Sequence, residues 1–538
     1  MQTLSNTHRI VAVFSLAAAV TLTVRTSAAT LRVPADYSRI QAAVEQASFG
    51  DTILVAPGVY REAIRLKPGI TLRSIGNDSR GRLGLARAEA TIIDGKGLPL
   101  DAAGVRLAAG ARLDGFTVAN FGKYDAAKWR HHHATSGNEQ SHEHIGVAGN
   151  AGILVQGVNC EVRNNVVHHI GRSGIGIEGA VGREVSPLIV ANVCYRNMGG
   201  GIGSMKGSTA VISNNVCFEN FYAGIGHDNA SPLVVSNLCY ANIRAGIGIS
   251  EGSCPTVRSN LCHSNRRAGI GVRTYETTKP VIEFNECRKN DMAGIGVEEE
   301  AAPTIRGNRC HANGLTGIGL QEHASAVILQ NECFNNGQSG IGLSDNSSAT
   351  VRGNHLHHNK ASGIGFARCQ KGTALIEENR ILENGKVAAG VNPGWKVTFR
   401  GNEFSRRGGL PPIVMVFKGS EAVFAENTIR GEGVAGIRVA GSIKVLDNRF
   451  VGMKMRAVGP PNFAVWALPG GEVEFVRNTV TGWRHAVFGD RAKVVARHNH
   501  VSNFARTAFR LKQPLAGSVV SDTVLPADQA RLSEVQID

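Results

Sequence analysis

The sequence predicts an all-β solenoid, a chain wound into stacked coils whose strands form long parallel sheets. Three observations lead there. Gly-Ile-Gly occurs nine times between Gly174 and Gly365, at a spacing close to 23 residues. A fixed period of that size marks a stacked repeat, in which each unit buries its apolar face only against its neighbours. Glycine is abundant at 65 residues and aromatics are few at 6%, which suits short strands and tight turns better than a large globular core. Turn-forming residues recur so often after residue 50 that long helices are excluded.

Residues 1–29 read as a secretory signal. His8 and Arg9 precede an apolar run from Ile10 to Val24, and Ser27-Ala28-Ala29 supplies small residues for cleavage. No later segment is long enough for a membrane span, so the expected location is secreted or periplasmic. Formal net charge is +15, or +13 once Arg9 and Arg25 leave with the signal. An exported basic protein points to an anionic glycan as partner and away from nucleic acid.

Residues 30–538 read as one continuous domain. Its N-terminal cap is 30–75, where Ile40, Ala43, Val44 and Ala47 share one helical face, so a short helix would cover the open end of the stack. A His-rich insertion follows at 121–145, regular Gly-Ile-Gly coils at 151–385, irregular coils at 386–512 and a C-terminal cap at 513–538. The tail from Pro526 to Val535 carries spacing compatible with a closing helix.

The opening residues carry a resemblance. Ile40-Gln41-Ala42-Ala43-Val44, Gly50-Asp51-Thr52-Ile53 and Pro57-Gly58-Val59-Tyr60-Arg61-Glu62 resemble the start of secreted pectin-lyase-like proteins. That resemblance implies a right-handed, single-stranded parallel β-helix, here of about 15–18 coils with a short N-terminal capping helix. It is specific for fold and says little of activity.

Each regular coil repeats one grammar: a strand ending at Asn, then x-Cys or x-apolar, a second Asn, a turn, and Gly-Ile-Gly. The first Asn column runs from Asn165 through Asn260 and Asn379 to Asn499. Asn tolerates left-handed backbone, and stacked amides can bond along the axis, so this column is expected to hold one corner of every coil. Seven Cys (Cys194, Cys217, Cys239, Cys262, Cys287, Cys310, Cys333) stand two positions after it, where Leu356, Ile381 and Phe404 stand later. Core packing, disulfides between neighbours and a soft-metal rail are the three readings of that column.

At strand period Ile points inward and both glycines outward, leaving a bare stripe about 38 Å long over nine rungs. Acids gather past one edge, at Asp228, Glu251, Glu298, Glu299, Glu300, Glu322 and Asp345. Carboxylates on adjacent coils there could bind Ca²⁺, and Glu298 and Glu322 are the candidate ligands. Basic residues precede the other edge, at Arg244, Arg266, Arg267 and Lys360. Lys206, Arg266, Arg273 and Glu251 are candidate substrate-binding residues.

Tyr222-Ala223-Gly224-Ile225-Gly226-His227-Asp228 is similar to the Tyr-Gly-x-Asp-Pro-His-Asp stretch of periplasmic alginate C5-epimerases at Tyr222, His227 and Asp228. Ile225-Gly226 stands where that family has Asp-Pro. The resemblance implies His227 or Tyr222 as base and acid beside Asp228, with Arg244 or Arg267 clamping a uronate carboxylate. Reprotonation at C5 gives epimerisation, and loss of the C4 substituent gives elimination. No set resembling those of polygalacturonases, pectin methylesterases or pectate lyases occurs.

The insertion offers His131, His132, His133, His142 and His144, with Glu139 and Glu143, as a Cu²⁺ or Zn²⁺ cluster or as a polar loop. The fold-level resemblance extends to the exported β-helix protein associated with copper supply to nitrous-oxide reductase. Three functions therefore stand open: an exported lyase or C5-epimerase for an anionic, uronate-containing polysaccharide, a non-catalytic glycan-binding or scaffold protein, and a periplasmic copper-handling protein. The oligomeric state is not encoded in any of these patterns.

Overall fold

A computed structural model describes residues 28–136, 150–529 and 533–538. Short strands follow one another in threes around each coil, and each strand pairs in parallel with its counterpart one coil on. Three ladders result, the longest of 20 strands, which exceeds the 15–18 coils expected. The excess lies at the ends. Thr30–Val33, Thr52–Val55 and Thr71–Ser74 already pair in register before any recognisable repeat begins, and the ladders continue unbroken past Gly385 where the sequence signature lapses.

Side-chain alternation sets the core. In Ile225–Asp228 the Ile and His face inward while Gly226 faces out, and the register aligns Ile225 with Ile247 and Gly226 with Gly248. Like therefore stacks on like along the axis, which is how a solenoid fills its interior without tertiary contacts between distant coils. The Cys column is fully buried and in register, Cys217 on Cys239 on Cys262, and every Cys is a free thiol. Packing is the reading that holds. Burial raises the Cys217 thiol well above its usual range, and thiol hydrogen bonds from column neighbours do the same to Cys239, Cys262 and Cys287, so a thiolate metal rail is disfavoured.

Two asparagine ladders hold two corners. In the first, Asn237 Nδ2 donates to Asn260 Oδ1 at 3.0 Å and Asn260 repeats this to Asn285. In the second, between the cysteine strand and Gly-Ile-Gly, Asn220 Nδ2 donates to Asn242 Oδ1 at 3.1 Å and Asn242 to Asn265 at 3.0 Å. Both columns are buried, so each amide group needs these partners. The left-handed backbone falls one residue earlier than expected: Ser236, Ser259, Glu219 and Ala241 have positive φ, and Gly307, Gly353 and Gly401 fill the same place in other coils.

The helix Ile40–Gln46 (α1) caps the N-terminal end and buries Ile40, Ala43 and Val44. The far end closes differently from expectation. A short 3₁₀ turn at Ala527–Gln529 leads into a strand, Ser533–Ile537, that pairs with Thr507–Lys512. Edge pairing won there over helical spacing. Among the described residues no helix is long and apolar enough to cross a membrane.

Candidate functional site

The two glycines of each Gly-Ile-Gly do different work. A Cβ on Gly224 would sit 2.7 Å from the Gly246 carbonyl oxygen and 3.2 Å from the Cys217 Cβ, so the first glycine is a buried corner where successive coils touch. A Cβ on Gly226 would meet nothing within 4 Å. The second glycine column alone lines the outer face, open at Gly226 and flanked elsewhere by small side chains such as Ala223 at Gly248 and Thr316 at Gly342, and the expectation that both face outward is corrected. Along it runs a groove of about 1350 Å³, reaching from Arg172 to Phe417.

The groove has two unlike walls. Tyr222, Arg244 and Arg267 stand on one, on three successive coils, and Asp228, Glu251, Arg273 and Glu298 stand on the other. Tyr222 is 6% exposed. Its hydroxyl is buried and meets no hydrogen-bond partner among the described residues, and burial pushes it up to about 12. Arg244 packs its guanidinium over the Tyr222 ring, 5.4 Å from the centroid, and is 9% exposed. Burial, with Arg267 beside it, pulls Arg244 down to about 10, and burial lowers Arg267 as well. The wall thus carries two partly desolvated guanidiniums on adjacent coils. Across the floor, burial and then Glu251 raise the Asp228 carboxyl above its usual range.

An element absent from the sequence reading supports this wall. Residues Ala126–Ala134 form a helix (α2) whose N-cap, Asp125, accepts from the Lys128 backbone N–H. Trp129 donates from Nε1 to the Glu219 carbonyl at 2.8 Å and joins Met198, Phe221, Tyr222 and Ile243 in a second apolar cluster. The helix thus buttresses Tyr222 from behind. Asp125 followed by good helix formers was the available signal.

Several expected site residues stand elsewhere. His227 belongs to a strand that lines the groove, but its side chain faces the core at 3% exposure, in register between Ser204 and Ile249; both ring nitrogens are buried, and burial holds it down at about 3. Strand alternation is the reason, because Gly226 and Asp228 take the outward positions. Lys206 and Glu322 have positive φ at the turn after the strand, outside the groove lining; Lys206 pairs with Glu178 at 2.9 Å. Arg266 lies outside it too and reaches Asp291 at 3.5 Å. Glu298 lines the groove and accepts from Gln321 at 3.0 Å, while repulsion among Glu298, Glu299 and Asp345 adds to burial in raising Glu322.

His131, His132 and His133 do not converge as a metal cluster. Consecutive helical residues point about 100° apart, and accordingly His133 stacks on Trp129 while His132 meets Phe221 edge-on. His142 and His144 lie outside the described residues.

Fold and groove together define a β-helix with a long ligand-sized surface cleft. The chain matches the family described as "Right handed beta helix region" over residues 134–279, 269–404 and 365–505, and it belongs to that family. No curated protein matches it. Among solved structures it is similar to the A-module of the Azotobacter vinelandii mannuronan C-5 epimerase AlgE4, at 15% identity and TM-score 0.29, over 77% of this chain and 90% of that one. It is also similar to the periplasmic alginate epimerase AlgG, at 12% identity and TM-score 0.31, over 72% and 78%. A third likeness is to the PL6 family alginate lyase AlyGC, at 9% and 0.27, over 93% and 100%.

Proposed function

We propose that the groove binds an extended anionic polysaccharide of the uronate-containing class, and that Tyr222, Asp228, Arg244 and Arg267 are its reaction centre for C5 chemistry. The observation that carries this reading is the pair Arg244 and Arg267, partly desolvated on successive coils of one groove wall, beside the buried Tyr222 hydroxyl. The glycine floor lets a polymer lie close to the backbone, and its length suits several sugar units. An exported location, read from residues 1–29, is where such polymers are met.

In this reading one arginine neutralises the uronate carboxylate, which makes the C5 proton removable. Ionised Asp228 takes that proton from one face of the ring, and the electron pair delocalises into the carboxylate. Tyr222, protonated at neutral pH, donates from the opposite wall to the other face of C5. The outcome is epimerisation, and solvent then returns a proton to Tyr222 and removes one from Asp228. If the pair instead forms a C4=C5 double bond, the C4–O bond breaks and the departing oxygen takes the Tyr222 proton, which gives elimination and an unsaturated end.

The test is incubation of the full chain with alginate, pectate and glycosaminoglycans in deuterated water. Deuterium at C5 with an altered epimer ratio, abolished in Tyr222→Phe and Asp228→Asn, is the expected result. Binding without exchange and without unsaturated ends would reduce the proposal to a non-catalytic glycan-binding groove. Failure of all three polymers to bind would overturn both.

A further inference from the structure

On a different face, the outward side of the cysteine strands, Glu332–Phe334 pairs in parallel with His355–His357. Strand alternation turns Glu332, Phe334, His355 and His357 to the outside and Cys333 and Leu356 to the core. Glu332, His355 and His357 each bring a ligand atom to within 4.8 Å of the other two. We propose that these three residues form a cross-coil site for a divalent transition ion of the zinc or copper(II) type, with water completing its coordination. Two imidazoles and one carboxylate are the donor set such ions take.

The surroundings argue for a built site. Glu332 uses Oε2 to accept from Arg309 at 2.8 Å and keeps Oε1 toward His357 Nε2 at 3.4 Å. The other nitrogen of His357, Nδ1, lies 2.9 Å from His358 Nδ1. The His357 ring is stacked on Phe334, 5.0 Å between centroids and 4° from parallel. Arg309, His358 and Phe334 thus orient the ligands from outside the coordination sphere, as supporting residues at metal sites do. Arg380, which follows His355 in register, is turned to Glu403 at 3.3 Å.

The chain carries its own comparison. Two coils earlier Glu286, Arg309 and His311 occupy the equivalent places, with His311 Nε2 3.2 Å from Glu286 Oε1. There an arginine stands where His355 does, and the triad is an ion-pair ladder with a single imidazole. Replacing that cation by a second imidazole converts the same scaffold into a donor set.

The experiment is equilibrium dialysis of the chelator-treated full chain against Zn²⁺, with Co²⁺ as spectroscopic probe. Wild type is expected to bind one equivalent more than His355→Gln/His357→Gln, and a variant with His131, His132 and His133 all changed to Gln should keep that equivalent. Wild type with Co²⁺ should show weak visible bands of a nitrogen and oxygen ligand set, lost in the His355→Gln/His357→Gln variant. Equal stoichiometry in wild type and that variant, with matching circular dichroism, would overturn the site. So would a Co²⁺ spectrum dominated by thiolate charge transfer, which needs no variant to read. Neither result depends on the groove binding a glycan.

Discussion

Arg244 and Asp228 stand on opposite walls of one groove, and burial shifts each toward its neutral form. For Arg244 the chief cause is burial, with Arg267 beside it. Arg244→Gln is expected to weaken uronate-polymer binding by about 10- to 100-fold, the value of a hydrogen-bonded charge contact of roughly 1.5–3 kcal/mol, as read by calorimetric titration. Asp228 titrates above its ordinary value of 3.8 because of burial and then Glu251. Since a base acts only when ionised, the acid limb of the pH–rate profile should lie above the usual carboxylate range, and Glu251→Gln should move it down. The stability sign follows from the same shift. The folded chain binds this proton more tightly than the unfolded one, so Asp228 costs stability as pH rises from 3.8 through its raised value. His227 carries the opposite lesson: its sequence neighbours made it a candidate, but the pleat between Gly226 and Asp228 sends it into the core.

At the scale of the element, the Gly-Ile-Gly strand contains both a structural and a functional glycine. Gly224→Ala should destabilise by about 1–3 kcal/mol, the usual cost of overpacking, because its Cβ meets the Gly246 carbonyl and the Asn242 amide. Gly226→Ala should leave the urea midpoint unchanged while narrowing the groove, so the two alanines separate fold from binding in paired unfolding and binding measurements. The asparagine corners are equally testable. Asn260→Ala would take the Oδ1 acceptor from the Asn237 backbone N–H and Nδ2 and the Nδ2 donor from Asn285 Oδ1 and the Val234 carbonyl, at roughly 1–3 kcal/mol for each buried group left unsatisfied. Outside the cysteine column, Cys254 is exposed and Cys369 intermediate. A thiol reagent should label those two in the native protein and the remainder only on unfolding; rapid labelling of Cys262 would contradict the buried column. The helix Ala126–Ala134 is the element that ties this segment to the groove wall, through His132 against Phe221 and Phe221 against Tyr222.

At the scale of the molecule, the ladders make a rod whose one groove spans many coils, and whose charge is strongly positive at +15. Exposed charges more than about 10 Å apart are screened at 0.1 M salt, buried ones much less. Glycan affinity should therefore fall as NaCl rises and then level off at the contribution of Arg244 and Arg267; complete loss of binding would mean that surface charge alone attracts the polymer. The coil architecture was legible from the 23-residue spacing, the Asn and Cys columns and the inward Ile, since each is a local pattern that a parallel register simply stacks. The irregular coils at 386–512 were legible as coils but not in register, because their strands lack the repeat and are held in place by pairing to a ladder that already exists. The groove stripe was half legible. Period two placed Gly226 correctly and misplaced Gly224, whose environment is made by Gly246 and Asn242 of the next coil. What residue order alone determined is which residues recur and in what rhythm. What only the tertiary structure decided is which side chains meet across coils: Tyr222 with Arg244, Phe221 with His132, His355 with Glu332. Such contacts join residues 22 to 89 positions apart, and no local periodicity encodes a distance that coil stacking alone creates.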